Sequence, residues 1–536
     1  MANRWLRVVA AALGLALSFH GPQFAFLSFI SFIPLFSVID SRSSSAAFKL
    51  SYLFGLLFFC FQTYPVAYVT VPGFLVAALY LALYPAVFGV LAAGFFSVRA
   101  ETGRDFVQNA VKEVFFIPAF WVLLEYARTW ILGGMPLALL AYSQWKNLPF
   151  IQVADVVGAF GVSYAVMLVN VVLYQGLKLF FAKDTGLPAP IDGRMYRGQA
   201  LRRLAAVGVG VSLSVFFYGT LSLHLRERAD NRPDKRVLRV AVLQGNIPQD
   251  QKWDARIKSI IFEKYKRLTF MSMLEKPDLI VWPETAFPGY LEDEPVMAAK
   301  LRSVARHSAT QMLVGAPTLG DLDRGIRFYN SAVHYSAAGE EIQRYSKNHL
   351  VPFGEYVPLE PVLGLIRNFA AIGHFSPGNK KTVFETRAHY QNMNVSAKFS
   401  ALICYEDMFP GLVRAFCRNG AEFLVNITND AWFGKTSAPY QHAQASVFRA
   451  VENRVNVVRA ANTGLSCFIS PTGKVLKTVS DKGQEIFVTG NATHELVIGK
   501  TGSFYSRFGD VFLLLALALC VWAFRDRAKR NPYSKI

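Results

Sequence analysis

Residues 399–403 form an apolar run that stops at Cys404, followed by Tyr405, Glu406 and Asp407 and then by Phe409-Pro410-Gly411. This is the pattern of a strand that delivers a thiol to a turn at the edge of a sheet. A cysteine nucleophile needs a base for its proton, a cation or N–H group for the oxyanion, and a proton donor for the leaving group. Glu284 follows the apolar residues 279–282 and Pro283, so it emerges from a strand end as Cys404 does. A carboxyl group screened by Trp282 and Phe287 holds its proton more tightly, which suits a general base. Lys347 offers a fixed positive charge for a thiolate and an oxyanion, alongside the N–H of Tyr405. Glu355, in Pro352-Phe353-Gly354-Glu355, is spaced to orient Lys347 or to assist proton transfer. His349 and His442 are rival bases, but neither lies in a cysteine-protease context. Each of these residues alone is ordinary packing or surface charge. The specific signal is the order Glu, Lys, Cys, each in its own strand-end setting.

The elements that must position them lie in the second half of the chain. Short β-like runs at 237–243, 279–282, 311–314, 423–427 and 467–470 alternate with helix-like stretches at 295–307, 409–418 and 439–455. Turn signals such as Ala338-Gly339, Pro471-Thr472-Gly473 and Lys482-Gly483 punctuate them, and the rhythm is that of an α/β layered domain. Internal repeats are not evident. The five cysteines form no CxxC pair and no repeated spacing, which argues against a disulfide framework or a zinc site, and no metal or other cofactor is called for. Gly434-Lys435-Thr436 and Gly499-Lys500-Thr501 lack the earlier glycine of a phosphate loop.

The rest of the chain is of another kind. Overall it is 53% hydrophobic with 45 Phe, yet its net charge is +19. Residues 1–222 and 511–536 together hold 20 Lys/Arg and 9 Asp/Glu, leaving 36 and 28 of the totals of 56 and 37 for residues 223–510. Only the middle part has the charge density of a water-soluble domain. No basic helix or aromatic RNA-binding motif is present, so the positive charge points to membrane topology and not to nucleic acid. Apolar runs at 8–19, 24–38, 50–71, 73–97, 114–132, 161–181, 203–222 and 511–524 read as eight spans, the first and last short for a bilayer. The first, preceded by Arg4 and Arg7, lacks a small-x-small cleavage site and reads as a retained span. Lys and Arg cluster in alternate connections, around 42–49, 99–112, 178–203 and 525–535, which puts both termini in the cytoplasm and residues 223–510 on the outer face. The domains expected are therefore a seven-span bundle at 1–222, a catalytic domain at 223–510, and an eighth helix with a basic tail at 511–536.

Trp282-Pro283-Glu284, Lys347 with Pro352-Phe353-Gly354-Glu355, and Cys404-Tyr405-Glu406 resemble the Glu-Lys-Cys signature of the nitrilase (carbon–nitrogen hydrolase) superfamily. With the membrane segments, the resemblance narrows to the apolipoprotein N-acyltransferase family. It extends to Gln244-Gly245-Asn246-Ile247-Pro248-Gln249 with Trp253, to Thr428-Asn429-Asp430-Ala431-Trp432-Phe433-Gly434, to residues 459–466, and to Trp121, Glu125, Arg128, residues 152–155 and Gly158. The resemblance implies a nitrilase-like αββα sandwich domain plus an eight-helix all-α transmembrane bundle in a bacterial inner membrane, with the catalytic domain periplasmic. It implies Glu284, Lys347 and Cys404 as catalytic residues, with Glu355, Tyr405, Glu406 and the substrate-binding Trp253 in support. It also implies ping-pong transfer of an acyl chain from a phospholipid, typically phosphatidylethanolamine, through a thioester to the S-diacylglyceryl cysteine of an apolipoprotein. Nothing demands more than a monomer. The rival reading is a membrane-tethered amidase or nitrilase, in which water ends the thioester. The apolar residues 359–375 suggest an interfacial lid or acyl-chain guide.

Overall fold

The computed structural model describes residues 2–40, 42–96, 102–181, 193–230, 235–252, 254–320, 325–352, 354–356, 374–390, 393–499 and 502–530. The expected lid lies outside these residues except for its last two. The chain divides into two compact units, one of residues 1–67, 71–223 and 508–536, the other of residues 68–70 and 224–507.

The first unit is helical. Among the described residues six segments are long and apolar enough to cross a membrane: Pro22–Ile39, Ser44–Tyr68, Val71–Phe96, Gly103–Arg128, Ala154–Phe181 and Arg194–Arg228. Two further helices, Ala2–Leu17 and Val511–Arg530, fall short of that standard. At 16 residues the first spans about 24 Å against a hydrocarbon core of about 30 Å. The second meets Arg525, Asp526 and Arg527 before its end. The segment Pro22–Ile39 is broken between a 3₁₀ turn, Pro22–Phe29, and the helix Phe32–Ile39. A break in an apolar medium strands backbone groups that no water can satisfy. Asn170 repairs it, its Oδ1 accepting from Phe32 N at 3.0 Å and its Nδ2 donating to Ser28 O at 2.8 Å. Around the repair Phe32 packs on Phe36, Phe54, Phe88 and Trp121.

The second unit has twelve described strands in two six-stranded sheets. One contains β1 (Arg236–Gln244), β2 (Leu279–Trp282), β3 (Gln311–Gly320), β4 (Arg327–Tyr335) and β5 (Glu341–Ser346), the other β6 (Phe384–Tyr390), β7 (Met393–Ile403), β8 (Phe423–Thr428), β9 (Asn456–Ala461), β10 (Cys467–Ile469) and β11 (Val475–Thr478). β12 (Gly490–Ile498) returns to pair antiparallel with β1 in the first sheet. The orders are β12-β1-β2-β3-β4-β5 and β6-β7-β8-β9-β10-β11. In each, the second, third and fourth strands are parallel and all other pairings antiparallel. The two halves thus repeat one topology, although no repeat shows in the residues.

The sheets face each other, β1 meeting β6, β7 and β9 and β4 meeting β7. The helices Lys258–Ser272 and Pro295–Ser308 cover the first sheet through a core of Phe262, Tyr265, Leu301 and Val304 against Ile280, Trp282, Met312 and Val314. The helices Pro410–Arg418 and Ala438–Asn453 cover the second. The layering is αββα. Parallel strands buried on both faces read as largely apolar runs, which is why residues 279–282 stand out in the sequence, and 423–427 do so with the buried Asn426 as the one polar interruption.

Candidate active site

Glu284, Lys347 and Cys404 converge because each leaves a strand at the same end of the sandwich: Glu284 beyond β2, Lys347 beyond β5, and Cys404 beyond β7. In parallel sheets this is where ligands gather. Trp282 secures the first exit, stacking on Tyr265 at 5.1 Å and donating from Nε1 to Thr269 Oγ1 at 3.0 Å. Gly315 on β3 must lack a side chain, since a Cβ there would lie 2.2 Å from Pro283 O. Cys404 has φ 53°, a left-handed conformation that few residues other than glycine adopt, and Thr285 beside Glu284 has φ 46°. The chain turns sharply at both reactive residues.

Lys347 Nζ lies 3.9 Å from Glu284 Oε1 and is bound to both oxygens of Glu355, at 2.9 and 2.8 Å. Its side chain is 1% exposed. Burial alone would drive off the ammonium's proton, but Glu355, Cys404 and Glu284 outweigh it and hold Lys347 above its ordinary value. The three neighbours favour the charged form of Lys347. Burial also raises the pKa of Glu284, against the pull of Lys347. The half-buried Cys404 thiol is held well above its usual range by burial and then by Glu284, with Lys347 opposing. The thiol therefore rests protonated. A carboxyl of raised pKa beside a buried thiol and a fixed cation is an arrangement able to accept a proton from sulfur and to stabilise an anion.

The supporting residues have distinct places. Glu355 Oε2 accepts from Val351 N at 2.8 Å as well as from Lys347, so it orients the cation. Glu406 ties two exits together: its Oε1 accepts from Tyr345 Oη at 2.6 Å, Asn348 N at 2.7 Å and His349 N at 3.0 Å, and its Oε2 from Ile403 N at 2.8 Å. The Tyr405 ring meets Phe409 edge to face at 5.1 Å. Trp253 and Phe353 lie outside the described residues.

Two residues, Asn330 and Lys252, join the site that the sequence did not single out for it. Asn330 on β4 donates to Glu284 Oε1 at 2.7 Å and to Glu355 Oε1 at 3.3 Å, coupling base and cation. Lys252 is 4% exposed and donates from Nζ to Glu284 O at 2.9 Å. Burial lowers its pKa to about 8, with Glu284 and Cys404 resisting. Asn462 ties the 244–249 stretch to the 459–466 stretch, exchanging bonds with Ile247 N and O at 2.9 and 2.8 Å. Neither Asn330 nor Lys252 carries a local signal, since a buried polar residue is spelled like an exposed one. Both ring nitrogens of His442 are engaged away from Glu284 and Lys347. Its ring nitrogens bind Asp407, Asp430 and the carbonyl of Cys404, behind the nucleophile.

A carbon-nitrogen hydrolase family profile matches residues 239–491, and an apolipoprotein N-acyltransferase N-terminal domain profile matches residues 11–172. The apolipoprotein N-acyltransferase of Geobacter metallireducens is 37% identical over 529 residues, covering 96% of this chain and 93% of that protein. That of Methylococcus capsulatus is 33% identical, covering 84% and 82%. Among solved structures, the amidase from Nesterenkonia sp. AN1 aligns at 19% identity with a TM-score of 0.37, covering 52% of this chain and 97% of that one. Matched in both halves, and along nearly its whole length by relatives above 30% identity, the chain belongs to the apolipoprotein N-acyltransferase family.

Proposed function

We propose that this chain moves a fatty acyl group from a membrane phospholipid, through a thioester on Cys404, to the α-amine of the S-diacylglyceryl cysteine of an apolipoprotein. Glu284 takes the thiol proton as sulfur attacks the ester carbonyl, and Lys347 with the N–H of Tyr405 stabilises the oxyanion. The ester C–O bond breaks, and Glu284 returns the proton to the departing lysophospholipid. The neutral amine then attacks the thioester, Glu284 takes its proton, and as the C–S bond breaks Glu284 passes that proton to the leaving sulfur, restoring the thiol and the carboxylate. Glu355, Tyr405 and Glu406 hold this arrangement, and Trp253 contacts substrate. Phosphatidylethanolamine is the donor, and a monomer suffices.

One observation carries this reading: a Glu284–Lys347–Cys404 site sits on the same chain as an N-acyltransferase membrane domain. Two lipid-anchored substrates call for such a fusion, whereas a small amide does not. The six apolar helices, with Ala2–Leu17 and Val511–Arg530 added, support eight spans. The alternation of basic connections supports cytoplasmic termini and a periplasmic catalytic unit in a bacterial inner membrane.

The test is intact-mass spectrometry of the protein after incubation with phosphatidylethanolamine and no acceptor. A hydroxylamine-sensitive acyl adduct is expected on the wild type, absent from Cys404→Ser, and discharged onto an added diacylglyceryl peptide. Hydrolysis of small amides with no adduct would replace this reading with the amidase one.

A further inference from the structure

The peptide joining Cys404 to Tyr405 carries two functions at once. Its N–H is the oxyanion donor of the reading above, on which this inference rests. Its carbonyl points the opposite way, because a trans peptide is planar. That carbonyl accepts two hydrogen bonds, from Asn426 Nδ2 at 3.0 Å and from His442 Nε2 at 3.1 Å. Whatever holds the carbonyl also aims the N–H.

His442 is buried on the helix Ala438–Asn453 and meets acceptors on both sides. Its Nε2 is 2.9 Å from Asp407 Oδ1 on the nucleophile turn, and its Nδ1 is 3.0 Å from Asp430 Oδ1 after β8. A carboxylate and a carbonyl have nothing to donate, so both ring nitrogens must carry protons. Charged groups face His442 from the surrounding elements, among them Arg449 on its own helix, which donates to Asp407 O at 3.5 Å and pairs with Glu452. Arg459 on β9 binds Asp407 Oδ2 at 2.8 Å and lies 3.8 Å from Asp430 Oδ2, and Ser446 donates to Asp407. The Cys404 thiol lies on the turn itself. A Cβ on Gly464 would stand 1.9 Å from Asp430 Oδ2, so that residue leaves room for the carboxylate.

We propose that His442, held as an imidazolium between Asp407 and Asp430, is a positioning residue for acyl transfer that fixes the Cys404–Tyr405 peptide and so aims its N–H at the oxyanion. An N–H opposite a carbonyl that accepts from a cation is also the more polarised donor. Burial opposes the charge, but Asp407 and Asp430 raise the His442 pKa to about 9, against Arg459. The clamp is complete at neutral pH and is lost as pH rises through about 9. Then one ring nitrogen turns a lone pair toward an acceptor.

The experiment is single-turnover thioester formation from phosphatidylethanolamine vesicles between pH 6 and 10, with full-length wild type, His442→Gln and Asp430→Asn. The wild-type rate should fall above pH about 9. In Asp430→Asn, which removes one of the two counter-charges, the fall should begin at lower pH. In His442→Gln the rate at pH 7 should drop on the order of tenfold to a hundredfold, as for a misaimed oxyanion donor. Its half-saturating lipid concentration should be unchanged and its alkaline fall gone. A His442→Gln rate equal to wild type, or an Asp430→Asn profile unmoved, overturns the proposal. The Asp430→Asn arm decides alone if His442→Gln fails to fold. A wild type that forms no thioester at any pH would instead overturn the acyl-transfer reading.

Discussion

Lys252 shows how one buried cation bears on Glu284, the base of the proposed mechanism. Its ammonium holds the backbone carbonyl of Glu284, and its charge lowers the affinity of Glu284 for a proton while burial raises it. Removing that charge leaves burial less opposed, so Glu284 is protonated at a higher pH. Lys252→Met is expected to move the acidic limb of kcat/KM for thioester formation to higher pH, with about a tenfold loss on that limb if the lost interaction is near 1.4 kcal/mol. The rate between the limbs should change far less. A limb left in place would mean that Lys252 serves only to hold the Glu284 carbonyl. Asn330 acts without charge: one amide nitrogen binds both Glu284 and Glu355, so base and cation keep a common frame.

At the scale of elements, Glu406 joins pieces of chain that local forces cannot join. The turn after β7 carries Cys404, the proposed nucleophile, and the loop after β5 carries Lys347, and the two strands belong to different sheets. Four donors from both segments meet on one carboxylate. Truncation would strand buried N–H groups that cost about 1–3 kcal/mol each. Glu406→Ala should therefore lose roughly 3 kcal/mol or more of stability in denaturant unfolding, together with thioester formation, and Glu406→Gln should lie between it and wild type. Equal unfolding midpoints for Glu406→Ala and wild type would show that the two segments are held in some other way. The repaired break at residues 29–32 follows the same logic in an apolar setting. There Asn170 is the side chain that crosses between elements.

At the scale of the whole molecule, the charge pattern makes a prediction about sidedness. Basic residues cluster in alternate connections, and the positive-inside rule sends the 42–49 connection to the cytoplasm and the catalytic unit to the opposite side. Lys474 and Ser45 are both exposed. A membrane-impermeant maleimide applied to intact spheroplasts should label Lys474→Cys and leave Ser45→Cys unlabelled until the membrane is opened. The reverse pattern would invert the topology. Sidedness matters for the chemistry, because it decides which leaflet supplies the acyl donor.

The residues alone determined much of this protein, wherever the physical cause is local. A strand buried on both faces is largely an apolar run, so 279–282 was legible, as was 423–427 despite Asn426, and a run that ends at Glu284 or Cys404 marks a side chain delivered to a turn. Membrane segments were legible for the same reason, as length and apolarity are properties of consecutive residues. Tertiary structure decided what depends on residues far apart in the chain. The doubled strand order arises from hydrogen bonding between backbones, which leaves no mark in side-chain identity. His442 looked like a rival base until two aspartates and a carbonyl closed around it. Lys252 and Asn330 are spelled like surface residues, and only burial beside Glu284 gives them work, because the charge and hydrogen-bonding power of a side chain count for most where water is excluded.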